Sequence, residues 1–88
     1  MKYRLFALDG CDNCELMMKG FRESNVTYFY VDAEAVSSQS LCDRHDVDEV
    51  PHVQILNKNN KIVYEHIGFI DINKLIKIAA KIEKQSKN

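Results

Sequence analysis

Tyr3-Arg4-Leu5-Phe6-Ala7-Leu8-Asp9-Gly10-Cys11-Asp12-Asn13-Cys14 is the stretch on which the reading of this chain turns. Residues 3–8 are apolar with two aromatics and stop at Asp-Gly, a turn dipeptide, so they predict a buried strand. From Cys11 the period changes. Leu16, Met17, Met18 and Phe21 supply an apolar face for a helix of about three turns that ends near Glu23-Ser24-Asn25. Val26-Thr27-Tyr28-Phe29-Tyr30-Val31 is dense in β-branched and aromatic residues and predicts a second strand. Tyr28, Phe29, Tyr30, Met17 and Met18 are accordingly expected in the core and sheet. Strand, helix, strand within about 30 residues is the spacing of a βαβ crossover, which makes the two strands parallel.

The second half adds a short helix, a hairpin and a last helix. Ser37-Ser38-Gln39-Ser40 offers N-caps for a short helix through Leu41, Cys42 and His45. The acidic run Asp46–Pro51 cannot extend it. Val53–Leu56 and Lys61–Ile67 flank Asn57-Lys58-Asn59-Asn60, an Asn-rich hairpin turn. Asp71 is a plausible N-cap for a helix with Ile72, Leu75, Ile76, Ile78, Ala79 and Ile82 on one face. Lys74, Lys77, Lys81 and Lys84 line its outer side, as on any solvated helix. The predicted order is β-α-β-α-β-β-α.

Eighty-eight residues with 45% hydrophobic and 28% charged content, three Gly and one Pro describe one small globular domain over 1–88. A net charge of −1 argues against nucleic-acid or membrane-surface binding. That sum hides a split: residues 1–50 hold ten acidic and five basic residues, and 51–88 hold three and seven. No apolar run approaches the ~18–20 residues of a membrane span. The short N-terminal stretch reads as a strand, not a secretory signal, which makes a cytoplasmic location the expectation.

Three cysteines is an odd number for a disulfide-stapled scaffold, and two of them form a C-x-x-C pair. Only thiolate is nucleophilic, and a free Cys near 8.5 is mostly thiol at neutral pH. Opening a helix with Cys11 puts its sulfur near unpaired backbone N–H groups and the positive end of the helix dipole. Two intervening residues let the second sulfur approach one turn later. Cys11 could then attack a disulfide as nucleophile and Cys14 resolve the mixed disulfide. The competing reading is half of a metal site, zinc or iron–sulfur, completed from Cys42, His45, His52 or His66. No second pair has knuckle spacing, so redox chemistry is the better fit, with no metal and no cofactor beyond a Cys11–Cys14 disulfide. Asp9, Asp12 and Glu15 crowd the pair with negative charge, which opposes a thiolate. Cys42 is expected as a buried small hydrophobe, His52 as a surface or packing residue, and His66 as strand-borne with no function required.

Val50-Pro51, directly before the third strand, completes a pattern that resembles the thioredoxin/glutaredoxin family across nearly the whole chain: opening strand, C-x-x-C, Val-Pro, a Gly after the fourth strand and a final helix. The resemblance implies a thioredoxin fold, a four-stranded mixed sheet with three helices. It also implies a cis Pro51 beside the cysteines and a Val50 backbone offered to an extended substrate. The chain begins at the strand before the cysteines, as glutaredoxins do. Glutathione-using glutaredoxins carry Thr before the Pro, Gly-Gly-x-Asp after the last strand and an aromatic between the cysteines. Here stand Val50, Gly68-Phe69-Ile70-Asp71 and Asp12-Asn13. The Gly-Phe segment is similar to that of the NrdH-redoxins, although the Pro usual in their C-x-x-C is absent, and Phe69 is a candidate for the substrate groove. The resemblance thus implies a monomeric dithiol oxidoreductase that reduces disulfide-containing proteins, ribonucleotide reductase among them. Its electrons would come from a thioredoxin reductase or from glutathione. A glutathione-dependent glutaredoxin and a zinc or iron–sulfur module are the alternatives.

Overall fold

A computed structural model describes residues 1–85. Its elements are β1 (Lys2–Ala7), α1 (Asp12–Glu23), β2 (Phe29–Asp32), a 3-10 turn (Val36–Ser38), α2 (Gln39–Arg44), β3 (His52–Leu56), β4 (Ile62–Ile67) and α3 (Ile72–Gln85). The strands form one sheet in the order β2-β1-β3-β4. β1 and β2 are parallel, as the crossover spacing requires, whereas β3 runs antiparallel to β1 and to β4. This is the expected four-stranded mixed sheet with three helices, a thioredoxin fold.

Alternation along β1 divides the core. Tyr3, Leu5 and Ala7, with Val53 and Ile55 of β3, face a cluster built from Cys14, Met17 and Phe21 of α1 and from Ile70, Leu75 and Ala79. The helical spacing 14-17-21 defines the buried stripe of α1. Phe21 is its anchor, fully buried, edge-on to Tyr3 at 5.7 Å and stacked on Tyr28 at 4.5 Å. A side chain so buried contributes about 1.5–3 kcal/mol through area alone. Phe6 points to the other face, where the rings of His45 and His52 meet it at 6.3 and 5.5 Å.

Two helices end in the same device. In α1, Val26 N–H reaches the Phe21 carbonyl and Asn25 N–H the Arg22 carbonyl, with Asn25 left-handed at φ 58°. In α2, Val47 and Asp46 bond Cys42 and Asp43 in the same way, with Asp46 at φ 53°. Both are Schellman caps, which satisfy carbonyls a helix end otherwise leaves open. Between β3 and β4, Asn57 Oδ1 accepts the N–H groups of Asn59 and Lys61 while Asn60 takes φ 63°, so the asparagines build the hairpin turn. Asp71 Oδ1 accepts Asn73 N–H at 2.8 Å and caps α3.

Three expectations need correction. β2 begins at Phe29 instead of Val26, and as an edge strand it leaves Phe29 62% and Tyr30 46% exposed. Leu16 sits off the buried stripe of α1 and is 49% exposed. The serines before α2 make no side-chain cap; the chain enters that helix through the 3-10 turn. No described helix is long and apolar enough to cross a membrane.

Candidate functional site

The sheet directions bring four connecting segments to one end. β1 leads out to Cys11 there, and β2, being parallel, also finishes there. His52 pairs with Phe6 on one side and with Ile67 on the other. Val50-Pro51 therefore enters, and Gly68-Phe69-Ile70 leaves, at that same end. Backbone bonds tie the segments together: Ala33 N–H to the Ala7 carbonyl at 2.9 Å and Gly68 N–H to the Pro51 carbonyl at 2.8 Å. Ile70 N–H, buried, donates to Met17 Sδ at 3.4 Å and fixes the 68–71 segment to α1.

Cys11 is the N-cap residue of α1, in extended backbone at φ −88°, ψ 115°. Its Sγ accepts the Cys14 N–H at 3.3 Å, one of the donors a helix start leaves unpaired. Gly10, at φ 79°, makes the turn that delivers it, a conformation glycine adopts at no steric cost. Cys11 is half-buried, whereas Cys14, one turn inside, is fully buried in the main core. Burial first, then a hydrogen bond with Cys11, push the Cys14 thiol up to about 11; a backbone hydrogen bond with Leu8 acts the other way, and the charges of Cys11 and Glu15 add smaller upward pushes. The two cysteines thus occupy different environments, one open at a helix start and one enclosed.

The Val50–Pro51 peptide is cis. Pro51 is buried and Val50, like Cys11, packs half-buried against the core cluster. Gly68 takes φ 93°, and Phe69 after it is 46% exposed. Beside Phe69 an open cleft of about 390 Å³ runs between α1 and the start of α3, lined among others by Leu16, Met17, Gly20, Ile70 and Ile72. Leu16 was legible as an exposed residue only by angle: two positions from Cys14 places it about 200° around the helix from the buried stripe.

His52 takes the packing alternative of its expected surface-or-packing placement, against Phe6. It is 3% exposed, and its Nε2 lies 3.0 Å from Glu65 Oε1. Glu65 also accepts Gln54 Nε2 at 2.9 Å, and Gln54 Oε1 accepts Arg4 Nη1 at 2.8 Å, so a row of polar side chains crosses three strands. The Gln54 hydrogen bond, followed by that of His52, holds Glu65 below the usual carboxylate range. A carboxylate only accepts, so His52 Nε2 carries a proton toward Glu65, and among the described residues the buried Nδ1 has no hydrogen-bond partner. Burial and the Arg4 charge push neighbouring His45 down. This row is on the Phe6 face, across the sheet from Cys14. Among the described residues no three His, Cys, Asp or Glu side chains come together as a metal site.

Neither a family model nor a curated protein sequence matches the chain. Solved structures do. Thioredoxin 1 from Thermosipho africanus superposes with a TM-score of 0.75 at 21% identity, each chain covered in full. A thioredoxin-fold protein from Helicobacter pylori gives 0.79 at 17% identity, over 99% of this chain and 74% of that one. Oxidised thioredoxin O2 from Arabidopsis thaliana gives 0.72 at 21%, over 91% and 72%. These likenesses, with the sheet order and the helix arrangement, establish that the chain is a thioredoxin-fold protein.

Proposed function

We propose that the chain is a dithiol thiol–disulfide oxidoreductase that reduces disulfides of other proteins in a reducing cytoplasm. The observation that carries this reading is the asymmetry of the C-x-x-C pair. Cys11 Sγ is held at the helix start with a backbone N–H aimed at it, and Cys14 is enclosed one turn behind. A sulfur receiving an N–H and the helix dipole is stabilised as the attacking thiolate.

Cys11 thiolate attacks one sulfur of the substrate disulfide; a Cys11–substrate S–S bond forms as the substrate's own bond breaks, and the leaving thiolate takes a proton from water. Cys14 then gives up its proton and attacks Cys11 Sγ, forming the Cys11–Cys14 disulfide and expelling the second thiolate. Two electrons pass from the protein dithiol to the substrate. Val50 and Pro51 would offer backbone to an extended substrate, and Phe69 an apolar contact. An external thiol donor, either the dithiol of a thioredoxin reductase or two molecules of glutathione that leave as glutathione disulfide, returns the pair to the dithiol.

The test is NADPH-coupled reduction of a protein disulfide, with thioredoxin reductase in one reaction and glutathione plus glutathione reductase in another. Turnover with thioredoxin reductase alone is the expected result and supports a thioredoxin- or NrdH-like substrate loop. Turnover with glutathione alone makes the protein a glutaredoxin despite Phe69. No turnover with either, together with a stoichiometric metal, refutes the redox reading.

A further inference from the structure

The charge split seen in the sequence becomes spatial in the fold. Asp9, Asp12 and Glu15 surround the cysteines, and Asp46, Asp48 and Glu49 stand just before Val50 at the same end of the sheet, all exposed. Asp32 at the end of β2, Glu34 after it and Asp71 after β4 are three further exposed carboxylates at that end. Residues 8–15, 32–38, 45–51 and 68–71 contain no Lys or Arg. Lys2, Lys58 and Lys61 lie at the opposite end of the sheet and Lys74, Lys77, Lys81 and Lys84 on α3, while Lys19 of α1 lines the cleft beside Phe69 together with the carboxylates Glu23 and Asp71. Among the described residues the carboxylates around the cysteines have no ion-pair partner. Their field is therefore directed at whatever approaches Cys11. At the same end the surface is also apolar, with exposed Leu16, Ile67 and Phe69 beside an open cleft.

We propose that the disulfide accepted at Cys11 is carried by a cationic polypeptide, and that this end of the fold disfavours anionic small disulfides, glutathione's among them. The proposal rests on the redox reading above and names its substrate class. Apolar contact alone would not discriminate a peptide by charge, whereas a surface of one sign around a cleft raises the local concentration of the opposite sign and repels its own. Glutathione carries two carboxylates and one ammonium, so its net charge has the sign of the carboxylates around Cys11.

The experiment uses the reduced full-length protein and three disulfide peptides that differ only in the residues flanking the cysteine: Lys, Gln or Glu. Glutathione disulfide is a fourth substrate, and dithiothreitol supplies the intrinsic charge preference of a free dithiol. At low ionic strength the Lys-to-Glu rate ratio should exceed that of dithiothreitol by about tenfold or more. It should fall toward the dithiothreitol ratio at 1 M salt, where the screening length is only ~3 Å. Glutathione disulfide should behave like the Glu peptide. Replacing Asp9, Asp12 and Asp48 by Asn and Glu49 by Gln should bring the ratio close to that of dithiothreitol. Reduction of all four substrates at dithiothreitol's ratio, without salt dependence, overturns the proposal and leaves the redox reading standing. Failure to reduce the neutral Gln peptide overturns both.

Discussion

Alkylation of the reduced protein separates the two cysteines most sharply. At pH 8 a thiol with the ordinary value near 9 is about one-tenth thiolate, and one near 11 is about one-thousandth. The rise of Cys14 to about 11 therefore lowers its reactive fraction roughly a hundredfold. Complete burial then adds a steric barrier that thiolate arithmetic does not include. With Cys11 carrying a small alkyl group, Cys14 loses the Cys11 hydrogen bond but keeps its burial, which is the larger cause. The assay is timed alkylation with iodoacetamide at pH 8, quenched and read by fragment mass spectrometry. Cys11 should be modified first, at least about a hundredfold faster than Cys14. Cys42, on the buried side of α2, should react only after denaturant is added. Modification of Cys14 within about tenfold of Cys11 would contradict the division into an open and an enclosed thiol.

Other outcomes follow from the same geometry. The folded Cys14 thiol binds its proton more tightly than the unfolded one, so its contribution to stability is present below pH 9.0 and is lost as pH rises through about 11. Urea melts of the reduced protein should therefore lose on the order of 1–3 kcal/mol across that window, and Cys14→Ala should abolish that component of the slope. A Cβ at Gly20 would lie 3.2 Å from Ile72 Cβ and 3.3 Å from its Cγ2, so Gly20→Val should lose about 1–3 kcal/mol in the same melts by forcing α1 from α3. Combined with Ile72→Ala, the loss should be smaller than the sum of the two. Phe69→Ala, at a half-exposed position, should leave stability within about 0.5 kcal/mol yet raise KM for a protein disulfide while sparing a small one. An equal effect on both substrates would remove Phe69 from the substrate surface.

Much of this architecture was legible because local signals agreed. The apolar run into Asp9-Gly10, the change of period at Cys11, the asparagine turn and the Asp71 cap each act over a few residues, and each stands where expected. The cis Val50–Pro51 peptide came from the family resemblance, since composition cannot select it. Aromatic density in 26–31 suggested burial, but burial depends on sheet position, and β2 is an edge with one neighbour. The row Arg4–Gln54–Glu65–His52 was invisible because it depends on the registers of β3 against β1 and β4, which place Gln54 opposite both Arg4 and Glu65. The acidic end of the molecule was visible as a count and became a surface only when the strand directions gathered four separate segments.

The central claim, that Cys11 attacks and Cys14 resolves, is tested most directly by trapping. Reduced Cys14→Ser protein is mixed with a disulfide substrate and examined by intact mass and fragmentation under non-reducing conditions. The account predicts a stable adduct of one substrate thiol on Cys11, while the wild-type chain passes to an internal Cys11–Cys14 disulfide and releases both thiols. An adduct on Cys14 in the Cys11→Ser variant at a comparable rate, or no adduct on Cys11, would contradict it.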